Sequence, residues 1–330
     1  MSKFYDWLIN ISSLDFGNKS ALIIGGSEIS KQYAMALSKL GVKDLLIIAK
    51  TGTYISDYCK DNKIELKTGG FEKNLSDINK KDLVIVAPPI QDTIPATKMA
   101  IKNNQSNILI EKPGSLYSKD LSSFSQEIDS EEIRIAYNRL AYPNLHKLKD
   151  LCEKEGGITS CRFTFTERLS TMDFEKDIPE VYERWGISNS LHVITMALEL
   201  IGFPKEIHCN QFGKLEWHPT GSIFVGDGIS ENDIPFSYHA DWGSGGRWGV
   251  EVNTKENSYQ LIPLEDLYAC PRDTGTWNHV DFEKAFPDIK QGFVEEVAIM
   301  LDNNDHKQIL PSLEQGSKFN NIAEEIFGYN

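Results

Sequence analysis

The sequence predicts an α/β protein: an N-terminal doubly wound parallel sheet of Rossmann type, then an α+β domain with a large, open, mostly antiparallel sheet. Three observations predict it. From residue 20 to about 135, short apolar β-branched runs alternate with segments of helical period, the pattern of repeated strand–helix–strand units. Beyond Asn138 the text becomes alternating, β-like and punctuated by Gly, Asn and Asp, as in sheets with one solvated face. The length, 330 residues, suits two domains rather than one.

The elements follow in order. Residues 1–16 are amphipathic with acidic residues and no small-residue cleavage site, so they read as a short helix on the first domain and not as a secretion signal. Residues 21–25, Ala-Leu-Ile-Ile-Gly, form a continuously apolar run, as a buried parallel strand does. Ile29, Tyr33, Leu37 and Leu40 then recur at helical spacing, closed by Gly41. Strands are predicted at 44–49, more weakly at 64–69, and at 82–89, with a helix over 93–104. Residues 107–113 read as strand, 118–128 as a helix opened by a serine cap, and 133–138 as strand. Residues 144–157 form an amphipathic helix ended by glycines, and 158–169 alternate like a half-buried strand. Residues 188–202 are a strongly apolar helix. Five further strands are read at 206–212, 222–227, 234–242, 247–254 and 258–264. The glycine-rich stretch 241–249 is read as a hairpin turn, because no helix follows it as a phosphate loop requires. Helices at 290–303 and 310–328 close the chain.

Composition excludes several classes. The formal net charge is −14, which argues against nucleic acid as partner, since a phosphate-backbone footprint is basic. No apolar run approaches the roughly 20 residues that span a bilayer. The five cysteines are scattered without a C-x-x-C pair, so neither a metal site nor a disulfide framework is indicated, and reduced, cytoplasmic thiols are expected.

The loop after the first strand reads Gly25-Gly26-Ser27-Glu28-Ile29-Ser30. A dinucleotide loop uses one glycine for the turn, a second for backbone approach to pyrophosphate, and a third for helix packing. Gly25 meets the first demand, Ser27 replaces the second, and Ser30 is small enough for the third. The loop alone is equally compatible with a strand–turn–helix that holds no ligand. At the end of the second strand stand Lys50 and Thr51, with no carboxylate to hold ribose hydroxyls. A cation and a hydroxyl there suit a 2′-phosphate, which favours NADP(H) and leaves NAD(H) possible.

Glu111-Lys112-Pro113 ends the fifth strand, where open α/β sheets place ligands. With the degenerate glycine loop, the run Val-Ile-Val-Ala-Pro-Pro at 84–89 and the segment from Ala136 to Leu151, it resembles the Gfo/Idh/MocA oxidoreductase family over nearly the whole chain. The resemblance implies a Rossmann domain over 1–137 on which helix 311–328 packs back, and a substrate-binding and oligomerisation domain over 138–310. It implies NAD(P)-dependent hydride transfer to or from a hydroxyl or carbonyl carbon of a sugar or nucleotide sugar. Other small carbonyl or cyclic substrates, and a binding protein without catalysis, are the alternatives. Substrate is expected between the domains.

Lys112 matches the family lysine that polarises the reacting oxygen, while a strand-end pairing with Glu111 explains it structurally. Ala87, Pro88 and Pro89 match the loop beneath the nicotinamide ribose, with Asp92 where many members carry histidine. His192 matches the family's helix histidine, but Ser188 and Thr195 stand where that pattern has aspartates. Gly25, Gly26, Ser27, Glu28, Ile29, Lys50, Thr51, Glu111 and Asn138 complete the expected cofactor contacts. Tyr137, Arg139, Arg168, Arg184, Trp185 and Ser188 are expected on the substrate side. No metal is expected. The open sheet implies a homodimer, or a tetramer built from dimers.

Overall fold

In a computed structural model, which describes residues 3–128, 131–302 and 305–329, the apolar runs of the N-terminal part become six strands. They are β1 (Ser20–Ile24), β2 (Asp44–Ala49), β3 (Glu65–Thr68), β4 (Leu83–Val86), β5 (Ile108–Glu111) and β6 (Ile133–Ala136). All neighbours pair in parallel, in the order β3-β2-β1-β4-β5-β6, the doubly wound order with a crevice between β1 and β4. Leu22, Ile23, Val84, Ile85 and Leu109 are wholly buried, because helices cover both faces of such a sheet and each strand must be apolar throughout. The helices are α1 (Lys3–Ile9), α2 (Glu28–Lys39), α3 (Ser56–Asn62), α4 (Phe71–Asn74), α5 (Ile90–Lys102) and α6 (Ser118–Glu127). Helix α2 starts after Ser27, whose backbone is extended at φ −91°. The chain leaves it through Gly41 at φ +87°, a conformation glycine adopts without strain.

The remaining sequence supplies α7 (Pro143–Lys154), β7 (Ser160–Phe165), α8 (Pro179–Glu183), α9 (Leu191–Ile201), β8 (Pro204–Phe212), β9 (Ile223–Ser230), β10 (Pro235–Asp241), β11 (Trp248–Asn253), β12 (Asn257–Leu261), β13 (Tyr268–Pro271), β14 (Asn278–His279), α10 (Phe293–Leu301) and α11 (Leu313–Phe327). The second sheet runs β14-β13-β12-β11-β7-β10-β9-β8. It is antiparallel except where β10 pairs with β7. Its inner face carries aromatic rings: Phe163 stacks on Tyr238 at 5.6 Å and Phe165 meets Phe327 edge-on at 5.4 Å. Each such buried ring contributes about 2–3 kcal/mol. The other face alternates outward through Pro235, Ser237 and His239. The predicted fold class is therefore the observed one.

Several details differ from expectation. Helices α3, α4 and α8 were not expected, and α6 begins at Ser118 behind Tyr117 rather than with a serine cap. Residues 241–249 are not a hairpin turn. Strands β10 and β11 both flank β7 and do not pair with each other, so this loop crosses the end of β7. A Cβ on Gly246 would lie 2.7 Å from Thr166, which is how closely the crossing loop packs on the residue after β7. Strands β13 and β14 were not expected; they are short and lack a buried alternating face.

The chain divides into two compact units. One comprises Trp7–Ala141 with Lys284–Ser317, and holds the parallel sheet. The other comprises Met1–Asp6, Tyr142–Glu283 and Lys318–Asn330, and holds the antiparallel sheet. Segment Lys284–Ser317, expected mainly in the second domain, groups with the parallel sheet, and the final helix is divided after Ser317. In the parallel-sheet unit α10 packs on α2, with Phe293 meeting Tyr33 at 5.0 Å.

Candidate functional site

In the parallel-sheet unit, five strand ends bring expected site residues to one rim. Gly25 follows β1, Lys50 follows β2, Ala87 follows β4, Lys112 follows β5 and Tyr137 follows β6. Parallel strands all point their carboxyl ends the same way, so topology alone gathers these residues.

The glycine loop is tight for a stated reason. Gly25 sits at φ +145°, and a Cβ there would lie 2.3 Å from the Ala87 carbonyl oxygen. A Cβ on Gly26 would lie 2.7 Å from that of Ala49. Ser27 and Glu28 are exposed and Ile29 is half-buried at the start of α2. The Glu28 carboxylate accepts from Gln32 at 3.1 Å. Ser30 is fully buried, as the third position of the loop requires. The N-terminal turn of α2 turns its N–H groups toward this loop, a favourable place for an anionic group. Lys50 and Thr51 are exposed. Ala87 is buried and its N–H donates to the Ile24 carbonyl at 2.8 Å. Pro88 is half-buried, and Pro89 is the exposed residue that precedes α5.

Behind the rim lies a buried acidic cluster. The Tyr33 hydroxyl of α2 donates to Glu111 Oε2 at 2.6 Å, and Glu296 of α10, fully buried, faces the same hydroxyl. Burial raises the Glu111 pKa, against the opposing charge of Lys112, the Tyr33 bond and the charge of Lys290. Burial, and then the Glu111 charge, drives that of Glu296 well up. Glu295 accepts the Gly292 N–H at 2.7 Å and is pushed up to about 7 by burial. The Lys112–Pro113 peptide is cis. Tyr137 is fully buried, and burial followed by the Glu111 charge raises its pKa. Asn138 Nδ2 donates to the Gln291 carbonyl at 3.3 Å, and Arg139 beside it is half-buried. Sequence reasoning identified Glu111 and Lys112 but not Glu296, which sits inside an apolar helical run with nothing local to mark it.

The antiparallel-sheet unit holds a cavity of about 640 Å³. Trp185, Trp248, Glu167 and Asn189 line it, and Arg168 and Arg247 stand at its exposed mouth. Trp185 stacks on Tyr182 at 5.8 Å. His192, 7% exposed on α9, has its ring 6.0 Å from that of Trp248. Of the expected substrate-side residues, Trp185 and Arg168 line this cavity. Arg184 is otherwise engaged: its guanidinium donates to Glu324 at 2.6 Å and lies 4.8 Å over the Tyr329 ring. The Ser188 hydroxyl reaches backbone carbonyls of Val181 and Trp185 at 3.3 and 3.4 Å. The Thr195 hydroxyl closes on the Leu191 carbonyl at 2.8 Å.

A π-helical turn, Gly186–Ser190, precedes α9. Its residues Asn189 and Ser190 both donate to Glu167, at 2.9 and 2.6 Å. Burial pushes the Glu167 pKa up, and these bonds oppose it. Sequence reasoning singled out Arg168 and passed over Glu167. The signal was available: Cys161, Phe163 and Phe165 point inward at period two, and Glu167 falls on the same parity. Among the described residues, no group of three or more His, Cys, Asp or Glu could hold a metal ion, and no helix is long and apolar enough to cross a membrane.

No protein-family model matches the chain, and no curated protein matches it by sequence. Solved structures do match. A levoglucosan dehydrogenase in complex with NADH and levoglucosan is 16% identical with a TM-score of 0.74, covering 93% of this chain and 95% of that one. The UDP-N-acetylglucosamine 3-dehydrogenase GnnA from Acidithiobacillus ferrooxidans is 12% identical with a TM-score of 0.69, covering 94% and 97%. An oxidoreductase from Agrobacterium radiobacter, in complex with NAD+, L-tartaric acid and magnesium, is 12% identical with a TM-score of 0.73, covering 93% and 94%. The chain shares the full two-part fold of these proteins.

Proposed function

We propose that this chain is an NAD(P)-dependent oxidoreductase of the Gfo/Idh/MocA type that acts on a hydroxyl or carbonyl carbon of a sugar or nucleotide sugar. The observation that carries the reading is the shared rim of the parallel sheet, where Gly25, Lys50, Ala87 and Lys112 end four strands. The similar structures, a UDP-N-acetylglucosamine 3-dehydrogenase and a levoglucosan dehydrogenase in complex with NADH among them, agree with it.

The residues present fit a nicotinamide dinucleotide. Gly25 and Gly26 let the loop press against Ala87 and Ala49, where a Cβ would collide, which holds the turn at the N-terminus of α2, a favourable place for a pyrophosphate, and the exposed Ser27 hydroxyl adds a donor. Lys50 and Thr51 would hold an adenosine-ribose phosphate, which tilts the preference to NADP(H). When bound, the nicotinamide supplies or accepts hydride. Lys112 would stabilise negative charge on the reacting oxygen. Glu111, Tyr33 and Glu296 fix the strand end from which Lys112 projects. His192 would take or return the hydroxyl proton, a role suited to an imidazole. In this reading the exposed face of the antiparallel sheet meets a second copy of the chain, and the protein works in the cytoplasm.

Titration with NADPH and NADH, read by nicotinamide emission, tests the reading, together with turnover on a panel of sugars and nucleotide sugars. Binding of at least one nucleotide and a loss of about 10²-fold or more in kcat for Lys112→Ala are expected. A protein that binds neither nucleotide is not this enzyme. A protein that binds one but turns over no sugar is a binding protein that kept the fold. Sedimentation velocity measures the expected dimer.

A further inference from the structure

Glu167 is 6% exposed, yet it lines the cavity of the antiparallel-sheet unit. Ser190 and Asn189 each occupy a different carboxylate oxygen, the indole N–H groups of Trp185 and Trp248 also favour its charge, and all four partners are neutral. The two close bonds leave the cavity side of a carboxylate with about four acceptor positions to be contested between the indole N–H groups and a ligand hydroxyl. Trp185 and Trp248 line the same cavity and offer flat apolar faces of the kind that stack on the C–H side of a sugar ring. The mouth is different in character. Arg168, Lys176 and Arg247 alternate there with Asp173 and Asp177, all exposed, so no single sign dominates it.

Ring hydroxyls donate to a carboxylate in charge-assisted bonds, which are about twice as strong as neutral ones. An anionic ligand would instead bring like charge to a desolvated carboxylate, where Coulomb repulsion is least screened. We propose that Glu167 holds hydroxyls of a neutral sugar ring in this cavity and excludes acids from it, as the specificity-determining residue of the substrate site. This deepens, and rests on, the sugar oxidoreductase reading above.

Tryptophan emission reports filling of the cavity without cofactor or turnover, because two indoles line it. Wild type, Glu167→Gln and Trp248→Phe are titrated with levoglucosan, L-sorbose and L-tartrate. At least one of the two sugars quenches wild-type emission, and Trp248→Phe lowers the amplitude. Glu167→Gln, matched in shape, weakens that sugar about tenfold or more. L-Tartrate binds wild type at least about tenfold more weakly than the best sugar and gains on it in Glu167→Gln. Thermal midpoints confirm that each variant is folded. Should the glutamine variant not fold, Glu167→Asp gives the same comparison, with an intermediate loss expected. Equal sugar affinity in wild type and variant, tighter binding of tartrate than of any sugar, or no quench by any sugar overturns the proposal. NADPH and NADH binding are read separately. Absence of both in wild type overturns the hydride-transfer reading, while a Glu167-dependent sugar quench still upholds the sugar site.

Discussion

At the scale of single residues, the rim of the parallel sheet depends on a few atoms. Gly25 combines a positive φ with a Cβ position only 2.3 Å from a backbone carbonyl. Gly25→Ala should therefore lose on the order of 3 kcal/mol in urea unfolding and most of the nucleotide affinity. Lys50→Ala should weaken NADPH about tenfold and NADH less than about twofold, the difference expected for one lost charge–phosphate contact; equal effects on both would remove Lys50 from the cofactor site. These residues were legible in the sequence because a turn glycine and a lysine at a strand end have local signatures. Arg184 illustrates the opposite. Its type suggested a ligand, but its charge is used by Glu324 from the C-terminal helix, a pairing 140 residues away that no local pattern encodes. Glu167 was hidden differently, since a carboxylate on a buried parity is visible only once the strand is extended past its apolar residues.

At the scale of elements, two helices carry most of the unusual electrostatics. Helix α10 places Glu295 and Glu296 inside the parallel-sheet unit, both nearly or wholly buried. A carboxyl whose pKa is raised in the folded state is stabilising in its protonated form. Its contribution is complete below the unfolded value, near 4.5, and is lost as pH rises through the folded value. For Glu295 that window runs from about 4.5 to about 7, and Glu296, driven well up by burial and the Glu111 charge, acts in the same direction. Unfolding free energy should therefore fall from pH 5 to pH 8, and Glu296→Gln should flatten the decline by stabilising the protein at pH 8 more than at pH 5. An unchanged slope in that variant would mean that Glu296 is solvated. The π-helical turn before α9 makes a second test. Ser190→Ala removes a 2.6 Å bond to a buried carboxylate and should cost about 1–3 kcal/mol. Ser188→Ala, which loses only long bonds to backbone, should change stability by less than about 0.5 kcal/mol. The sequence showed the helix that became α9 but not the π turn, because helical periodicity does not register one extra residue in a turn. It likewise showed the strands around β7 but not their order, which is why the 241–249 loop read as a hairpin.

At the scale of the whole chain, the fold class was legible because strand–helix alternation and half-buried alternation differ in period, and those periods survive substitution of almost every individual residue. The grouping of segments was less so. Lys284–Ser317 joins the parallel sheet from a distant part of the sequence, and only three-dimensional contacts such as Phe293 on Tyr33 and Asn138 on Gln291 reveal it. A fragment ending at residue 141 should accordingly expose the buried side of α2 and remain partly unfolded by circular dichroism, whereas the full chain melts cooperatively. The same interleaving bears on biosynthesis. The backbone passes from one unit to the other four times, after residues 6, 141, 283 and 317. Neither unit is therefore complete until the segments after residues 283 and 317 have been made, and the nascent parallel sheet waits, with the buried side of α2 uncovered, for α10 to emerge.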